Sequence, residues 1–202
     1  MSSYNLNINI DSNDVRTINQ SQQKVVLVKT VGGSSGSKVA WVTFSPFEHN
    51  EVSWTEKYGV YASSTQVQSG AQIYKTSAVN PATTEVMYPF ENGTFGSPEN
   101  GGQSNSYGIS NRYSQGFTFG LAQSVVANGN VFEASPLNAV SVLSRQNAIF
   151  TPVERLEVFL QGNFNNGVVI SQVSSTALPL DFTNNSDITI RYDSSLGRFI
   201  IA

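Results

Sequence analysis

Hydrophobic and polar residues alternate in many short stretches of this chain, and this period of two limits its fold more than any other feature. Near the start, Leu6, Ile8 and Ile10 alternate with asparagines. Four later stretches repeat the pattern, and their apolar positions are Val52 and Trp54; Phe117, Phe119 and Leu121; Leu156, Val158 and Leu160; and Ile188, Ile190 and Tyr192. Successive residues of a strand point to opposite faces of a sheet, so each stretch predicts a strand with one buried and one solvated face.

Further runs at residues 25–28, 39–44 and 168–170 are apolar on both faces and suit central strands. Turns rich in Gly, Asn and Ser separate these runs. We therefore predict an all-β chain, folded as a single-domain antiparallel β-sandwich over residues 1–202 with about eleven or twelve short strands. The one helix candidate is residues 12–23, a polar segment with Asp11 or Ser12 as its cap.

The chain is polar but carries few charges. It has 14 acidic and 11 basic residues, a net charge of −3, and many more Ser, Thr, Asn and Gln. A neutral hydrogen-bonding surface approaches sugars, lipid headgroups or copies of itself without strong electrostatic repulsion. The basic residues are scattered, which argues against nucleic acid as a partner, because phosphate backbones need clustered Lys or Arg.

The absence of certain residues and segments from the sequence argues against disulfides, thiolate metal sites and membrane-spanning helices. With no cysteine there are no disulfides and no thiolate metal sites. No apolar stretch approaches the roughly 18 residues of a spanning helix, so we expect no transmembrane segment. The first ten residues lack the basic and apolar regions of a signal peptide, and the compartment is left open.

Catalytic motifs are weak. Residues 32–36 match the G-x-S-x-G pattern of serine hydrolases, but no helix is predicted after Ser34, and a hairpin explains the match better. His49 is the one histidine and is expected in an exposed loop. Glu154 and Glu157 are three residues apart in a predicted strand and would face opposite sides. We expect no enzymatic activity, no cofactor and no metal, and a hydrolase built from acids distant in sequence is the least favoured alternative.

Aromatic residues supply the candidate ligand-binding positions. Trp54 lies two residues after Val52 in a predicted strand, so both side chains point to the same face, and we assign Trp54 to the core. Tyr and Trp rings stack on sugars or lie at membrane interfaces, with one apolar face and one polar tip. Tyr107 and Tyr113, which bracket an irregular Gly- and Ser-rich segment, are the better surface candidates. The complete candidate set is Tyr58, Tyr61, Tyr107, Arg112 and Tyr113.

Four stretches together resemble an uncharacterised family of small cysteine-free all-β proteins from fungi and bacteria. They are residues 39–47 (VAWVTFSPF), 54–63 (WTEKYGVYAS), 118–123 (TFGLAQ) and 150–161 (FTPVERLEVFLQ). The resemblance implies no particular activity and no functional residue. In outline the chain also resembles the actinoporin-like and fungal-lectin sandwiches, although the segment from Asp11 to Lys24 holds only two apolar residues, Val15 and Ile18.

Two functions follow from these features. The first is a non-enzymatic recognition protein, lectin-like or toxin-like, that binds glycans or membrane lipid headgroups through loop aromatics and neutral polar residues. The second is a self-assembling structural protein, such as a fibre, coat or intracellular crystal, because a low-charge surface permits dense packing.

Overall fold

The computed structural model describes residues 2–202 and shows an all-β chain with one helix. In chain order the elements are β1 (Ser3–Asn9), α1 (Ser12–Gln20), β2 (Gln23–Gly33), β3 (Ser37–Val39), β4 (Val42–Phe44), β5 (His49–Ser63), β6 (Lys75–Val79), β7 (Val86–Glu91), β8 (Thr94–Phe95), β9 (Glu99–Asn100), β10 (Tyr107–Asn111), β11 (Phe117–Ala127), β12 (Asn130–Pro136), β13 (Asn138–Val142), β14 (Asn147–Gly162), β15 (Val169–Ile170), β16 (Leu178–Asp181), β17 (Asp187–Asp193) and β18 (Arg198–Ile201).

Backbone hydrogen bonds join these strands into two sheets. The ten-stranded sheet has the order β15-β3-β13-β11-β5-β1-β17-β18, with β12 also paired to β11 and β6 to β5. The eight-stranded sheet has the order β4-β2-β14-β10-β7-β8, with β16 paired to β14 and β9 to β7. The first sheet therefore places β17, β1, β5 and β11 side by side.

The alternating stretches bury the expected faces. Leu6 and Ile8 from the ten-stranded sheet and Val25 and Leu27 from the eight-stranded sheet belong to one hydrophobic cluster. Trp54 lies in the same cluster, as predicted from its parity. The outward positions of β1 therefore carry its asparagines on the opposite face of the sheet.

The predicted strand number was too low, because the described residues contain eighteen strands. Three of them, β8, β9 and β15, are two residues long and show no readable alternation. The pairing is also not purely antiparallel, since β1 pairs with β17 and β7 with β10 in parallel. The doubly apolar β4 and β15 end their sheets rather than lying centrally. Ile170 of β15 is nevertheless buried, because it packs in a second cluster with Val26 and Phe159.

The helix is confirmed near its predicted position and is shorter than predicted. It begins after Asp11, which occupies the N-cap position without a side-chain capping bond, and it ends at Gln20. Ile18 is its buried residue. Among residues 2–202, no helix has the length and apolar character needed to cross a membrane.

Candidate functional site

A cleft of about 780 Å³ lies on the outer face of the ten-stranded sheet. We call it the Asn–His cleft and define it by the lining residues Asn7, Asn9, Phe47, His49, Glu51 and Asn128. Ser53, Val126 and Thr189 complete its floor. The floor thus runs across β17, β1, β5 and β11, four neighbouring strands of one sheet.

Strand register brings the polar residues of the cleft together. In the antiparallel pair of β1 and β5, Asn7 lies opposite Glu51 and Asn9 lies opposite His49. On the other side of β1, Thr189 of β17 lies opposite Asn7. Because Leu6 and Ile8 point into the core, their neighbours Asn7 and Asn9 must point outward into the cleft.

Phe47 is presented to solvent by a braced turn before β5. Its side chain is 62% exposed. The buried Asn50 accepts a hydrogen bond of 2.8 Å from the Phe47 backbone N–H and donates one of 2.7 Å to the Phe47 carbonyl. Asn50 also donates to the Ile8 carbonyl at 3.1 Å and so ties the turn to β1. The backbone that carries the exposed ring is therefore fixed by three hydrogen bonds to Asn50.

Asn128 is fixed by the same network. Its amide nitrogen donates to Asn50 Oδ1 at 3.1 Å, and its Oδ1 accepts from the Glu51 backbone N–H at 3.0 Å. Asn128 has a φ of 50°, in the left-handed region that asparagine tolerates at a hairpin turn, and Gly129 follows it. The β11–β12 turn is thus anchored at the rim of the cleft.

Several polar groups in the cleft are free to bind a ligand. His49 Nδ1 lies 3.0 Å from Asn9 Oδ1, which leaves the imidazole Nε2 and the Asn9 amide nitrogen without partners among the described residues. The Glu51 carboxylate forms no ion pair and no side-chain hydrogen bond within residues 2–202. The cleft therefore offers donors, acceptors and one apolar ring within a single concavity.

The structure places the sequence-predicted tyrosines elsewhere. Tyr107 was expected at the surface, but it is 5% exposed and packs against Tyr58 with ring centroids 6.0 Å apart. Tyr58 and Tyr61 are also buried. The expected surface position of Tyr107 is therefore wrong, because neighbouring side chains cover its ring, and the ligand-binding role of these three tyrosines stays a prediction. The sequence before β10 has no regular alternation, so it could not predict which face of the sheet Tyr107 occupies.

Arg112 and Tyr113 lie near the surface, away from the Asn–His cleft. Arg112 pairs with Glu91 at 3.2 Å and Glu99 at 2.5 Å beside a second depression of about 550 Å³. Its hydrogen bonds hold the pKa of Glu99 below the ordinary value. The half-buried Tyr113 packs its ring on Phe117, with centroids 5.5 Å apart. Both side chains thus have intramolecular partners.

A buried polar cluster that the sequence analysis missed lies between the two sheets. Lys29 of β2 is 1% exposed, and its Nζ donates at 2.7 Å to Glu154 Oε2 of β14 and at 2.7 Å to Gln123 Oε1 of β11. Tyr58 donates its hydroxyl hydrogen to Glu154 Oε1, and Trp54 Nε1 donates to Glu154 Oε2 at 3.0 Å. We call Lys29, Gln123 and Glu154 the cross-sheet cluster.

Aromatic rings surround the cross-sheet cluster. Lys29 Nζ lies 5.2–5.3 Å from the ring centroids of Trp41, Trp54 and Tyr58. Burial lowers the pKa of Lys29 to about 8, although the adjacent Glu154 favours the charged form. Burial and the same carboxylate raise the pKa of Tyr58 well above its ordinary range. The sequence did contain a signal for this cluster. Each of its three residues lies two positions from an inward-facing apolar residue of its strand, so alternation alone directs it toward the core.

Comparisons with protein-family models, with curated proteins and with solved structures found no match. The resemblance to the fungal and bacterial family therefore stays a prediction. In the described part of the chain, no three His, Asp or Glu side chains are grouped so that they could hold a metal ion. The candidate sites are thus defined by their own geometry: the outer Asn–His cleft and the inner cross-sheet cluster.

Proposed function

We propose that this protein is a non-enzymatic recognition protein that binds glycans in the Asn–His cleft, and that its two sheets form one β-sandwich domain. The observation that carries the proposal is the exposed ring of Phe47, held beside the free polar groups of Asn9, His49 and Glu51. This arrangement replaces the loop tyrosines as the contact surface.

The chemistry of the cleft matches that of a sugar. A pyranose has hydroxyl groups that both donate and accept hydrogen bonds, and an apolar face of C–H groups that packs on an aromatic ring. Amide and imidazole side chains supply both kinds of hydrogen-bonding partner. A few polar groups fixed in position give orientation within a concave site.

Charge favours a glycan over a lipid headgroup. The lining of the cleft includes Glu51 but neither Lys nor Arg. Phosphate groups of lipid headgroups are recognised mainly by Arg and Lys. A neutral oligosaccharide is therefore the ligand class that this cleft fits best.

A glycan array probed with the labelled full chain tests the proposal. Phe47→Ser and Asn9→Ala should each weaken binding by about fivefold, since each removes a contact worth about 1 kcal/mol. Tyr74→Ser is the matched control, because Tyr74 is 71% exposed and lies outside the cleft lining. We expect it to bind as the wild type does.

Two results would contradict the proposal. One is the absence of binding to every glycan on the array. The other is binding that Phe47→Ser and Tyr74→Ser weaken equally. Co-sedimentation with phosphatidylcholine and phosphatidylserine vesicles that contain no glycolipid separates lipid from glycan recognition, and we expect no sedimentation with them.

Self-assembly is a second candidate function, and one edge of the ten-stranded sheet favours it. Among the described strands, β18 pairs only with β17, and Ile201 at its end is 57% exposed. An unpaired strand edge with an apolar side chain is a template for strand addition by a second copy. Sedimentation velocity over a concentration series tests this function, and a chain that is monomeric at every concentration would rule it out.

A further inference from the structure

We propose that Lys29 and Gln123 form an intramolecular amide cross-link between the two sheets, with Glu154 as the group that moves the proton. The link would join Lys29 Nζ of β2 to Gln123 Cδ of β11. It would be a covalent tie in a chain that contains no cysteine. This inference is independent of glycan binding.

Lys29 Nζ already contacts the Gln123 carboxamide through its oxygen and the carboxylate of Glu154. Lys29 Nζ lies 2.7 Å from the carboxamide oxygen of Gln123 and 2.7 Å from a carboxylate oxygen of Glu154. The Gln123 amide nitrogen donates to the Thr55 carbonyl at 2.7 Å, which fixes the plane of the carboxamide. Fixed groups at contact distance react with effective concentrations far above those in solution.

Burial activates the amine and protects the reaction from water. The unprotonated amine is the nucleophile, and the lowered pKa of Lys29, about 8, leaves a usable unprotonated fraction near neutral pH. Gln123 has no exposed surface and Lys29 is 1% exposed. Because bulk water is excluded, hydrolysis of the carboxamide does not compete.

The atoms and protons balance without any further reactant. Glu154 accepts a proton from the Lys29 ammonium, and the neutral Nζ attacks Gln123 Cδ to form the Nζ–Cδ bond. The tetrahedral intermediate collapses by breaking the Cδ–Nε2 bond, while Glu154 returns its proton to the leaving nitrogen. The second Nζ proton leaves with the ammonia, so one ammonium ion is released and no group is oxidised or reduced.

Two irregularities in strand pairing coincide with the cluster. The β11–β5 register shifts between Gln123 and Val125, and the β14–β2 register shifts between Pro152 and Leu156, the segment that contains Glu154. Bulges re-aim side chains and occur often beside reactive sites. Both irregularities thus lie beside residues that contact Lys29, one on each of two strands.

Mass spectrometry of the full chain, denatured after folding, tests the proposal. We expect an intact mass lower than that of the sequence by one ammonia. Trypsin should release a branched peptide that joins residues 25–38 to residues 113–145 and resists cleavage after Lys29. The branched peptide is the deciding readout, because Asn-Gly turns such as 128–129 also lose ammonia when they cyclise.

Variants assign the roles. Lys29→Arg and Glu154→Gln should give no branched peptide, and circular dichroism checks that they fold. Lys38→Arg is the matched control, because Lys38 pairs with Glu157 in a half-exposed position away from the cluster, and it should cross-link as the wild type does. A folded wild-type chain without the branched peptide would overturn the cross-link, even if the variants fail to fold. Cross-linking that persists in Glu154→Gln would overturn the role of Glu154.

Discussion

At the scale of single residues, Tyr61 shows how burial converts a side chain into a pH-sensitive element. The side chain is fully buried and its hydroxyl donates to the Asn138 carbonyl at 2.5 Å. Burial raises the pKa of Tyr61 far above its ordinary value. The folded state therefore keeps the phenol proton at a pH where the unfolded chain loses it.

The sign of this effect predicts a loss of stability in alkali. The contribution of Tyr61 is complete below pH about 10 and declines above it, because only the unfolded state ionises there. In Tyr61→Phe the free energy of unfolding should fall by about 1 kcal/mol at neutral pH, since the Asn138 carbonyl loses its donor. Above pH 10 the free energy of unfolding should fall with pH in both proteins, and the fall should be less steep in Tyr61→Phe by about 1.4 kcal/mol per pH unit.

Urea denaturation at a series of pH values measures both effects. Tyr74→Phe is the control, because the Tyr74 side chain is exposed, and we expect this variant to unfold as the wild type does. If the free energy of unfolding falls equally steeply above pH 10 in Tyr61→Phe and in the wild type, folding does not change the pKa of Tyr61.

At this scale, the sequence predicted inward and outward positions where alternation was regular. Leu6, Ile8 and Trp54 are buried as their parity required. Tyr107 was misplaced because the segment before it is irregular and provides no parity. Lys29 was overlooked although it continues the inward set of Val25 and Leu27, since a charged residue in an apolar run is readily taken as a strand end.

At the scale of elements, the pairing of β11 with β5 depends on one close approach. Gly120 lies opposite Tyr61 in this pair. A Cβ atom on Gly120 would overlap the Asn138 carbonyl oxygen and would lie 2.7 Å from Tyr61 Cε1. The absence of a side chain at this position therefore allows the ring of Tyr61 to cross the strand.

Gly120→Ala should consequently be strongly destabilising. Overlap with a backbone oxygen cannot be relieved by a rotamer change, and we expect a loss of about 2 kcal/mol or more in the free energy of unfolding. Gly162→Ala in β14 is the matched control, since its Cβ would meet only the Gln22 carbonyl at an ordinary 3.6 Å. Chemical denaturation compares the two, and equal stabilities would contradict the account of this strand pair.

Element pairing was the part of the fold that the sequence could not provide. His49 and Asn9 are forty residues apart and meet only because β1 pairs with β5 in one particular register. Residue periodicity predicts which face a side chain occupies but not which strand lies beside it. The Asn–His cleft was therefore out of reach, although its outward asparagines were recognised. The shortest strands were missed for the related reason that two residues do not define a period.

At the scale of the whole molecule, the two candidate sites lie in different environments, one on the outer face of a sheet and one buried between the sheets. The outer face of the ten-stranded sheet carries amides, hydroxyls and one exposed ring at the Asn–His cleft. The space between the sheets holds the cross-sheet cluster. A net charge of −3 over the whole chain leaves little long-range field to select charged ligands. For the glycan ligand proposed above, specificity would therefore come from hydrogen bonds and ring stacking at short range.

A nuclear magnetic resonance titration locates the proposed binding site on the molecule. A neutral oligosaccharide that binds on the array would be added to the ¹⁵N-labelled chain while the asparagine side-chain amide signals are followed. We expect saturable shifts for Asn7, Asn9 and Asn128 in the cleft, while the signal of Asn92, which lines the other depression with Arg112, stays unchanged. Saturable shifts centred on Asn92 and Arg112, with the cleft amides unmoved, would contradict the proposed position of the site.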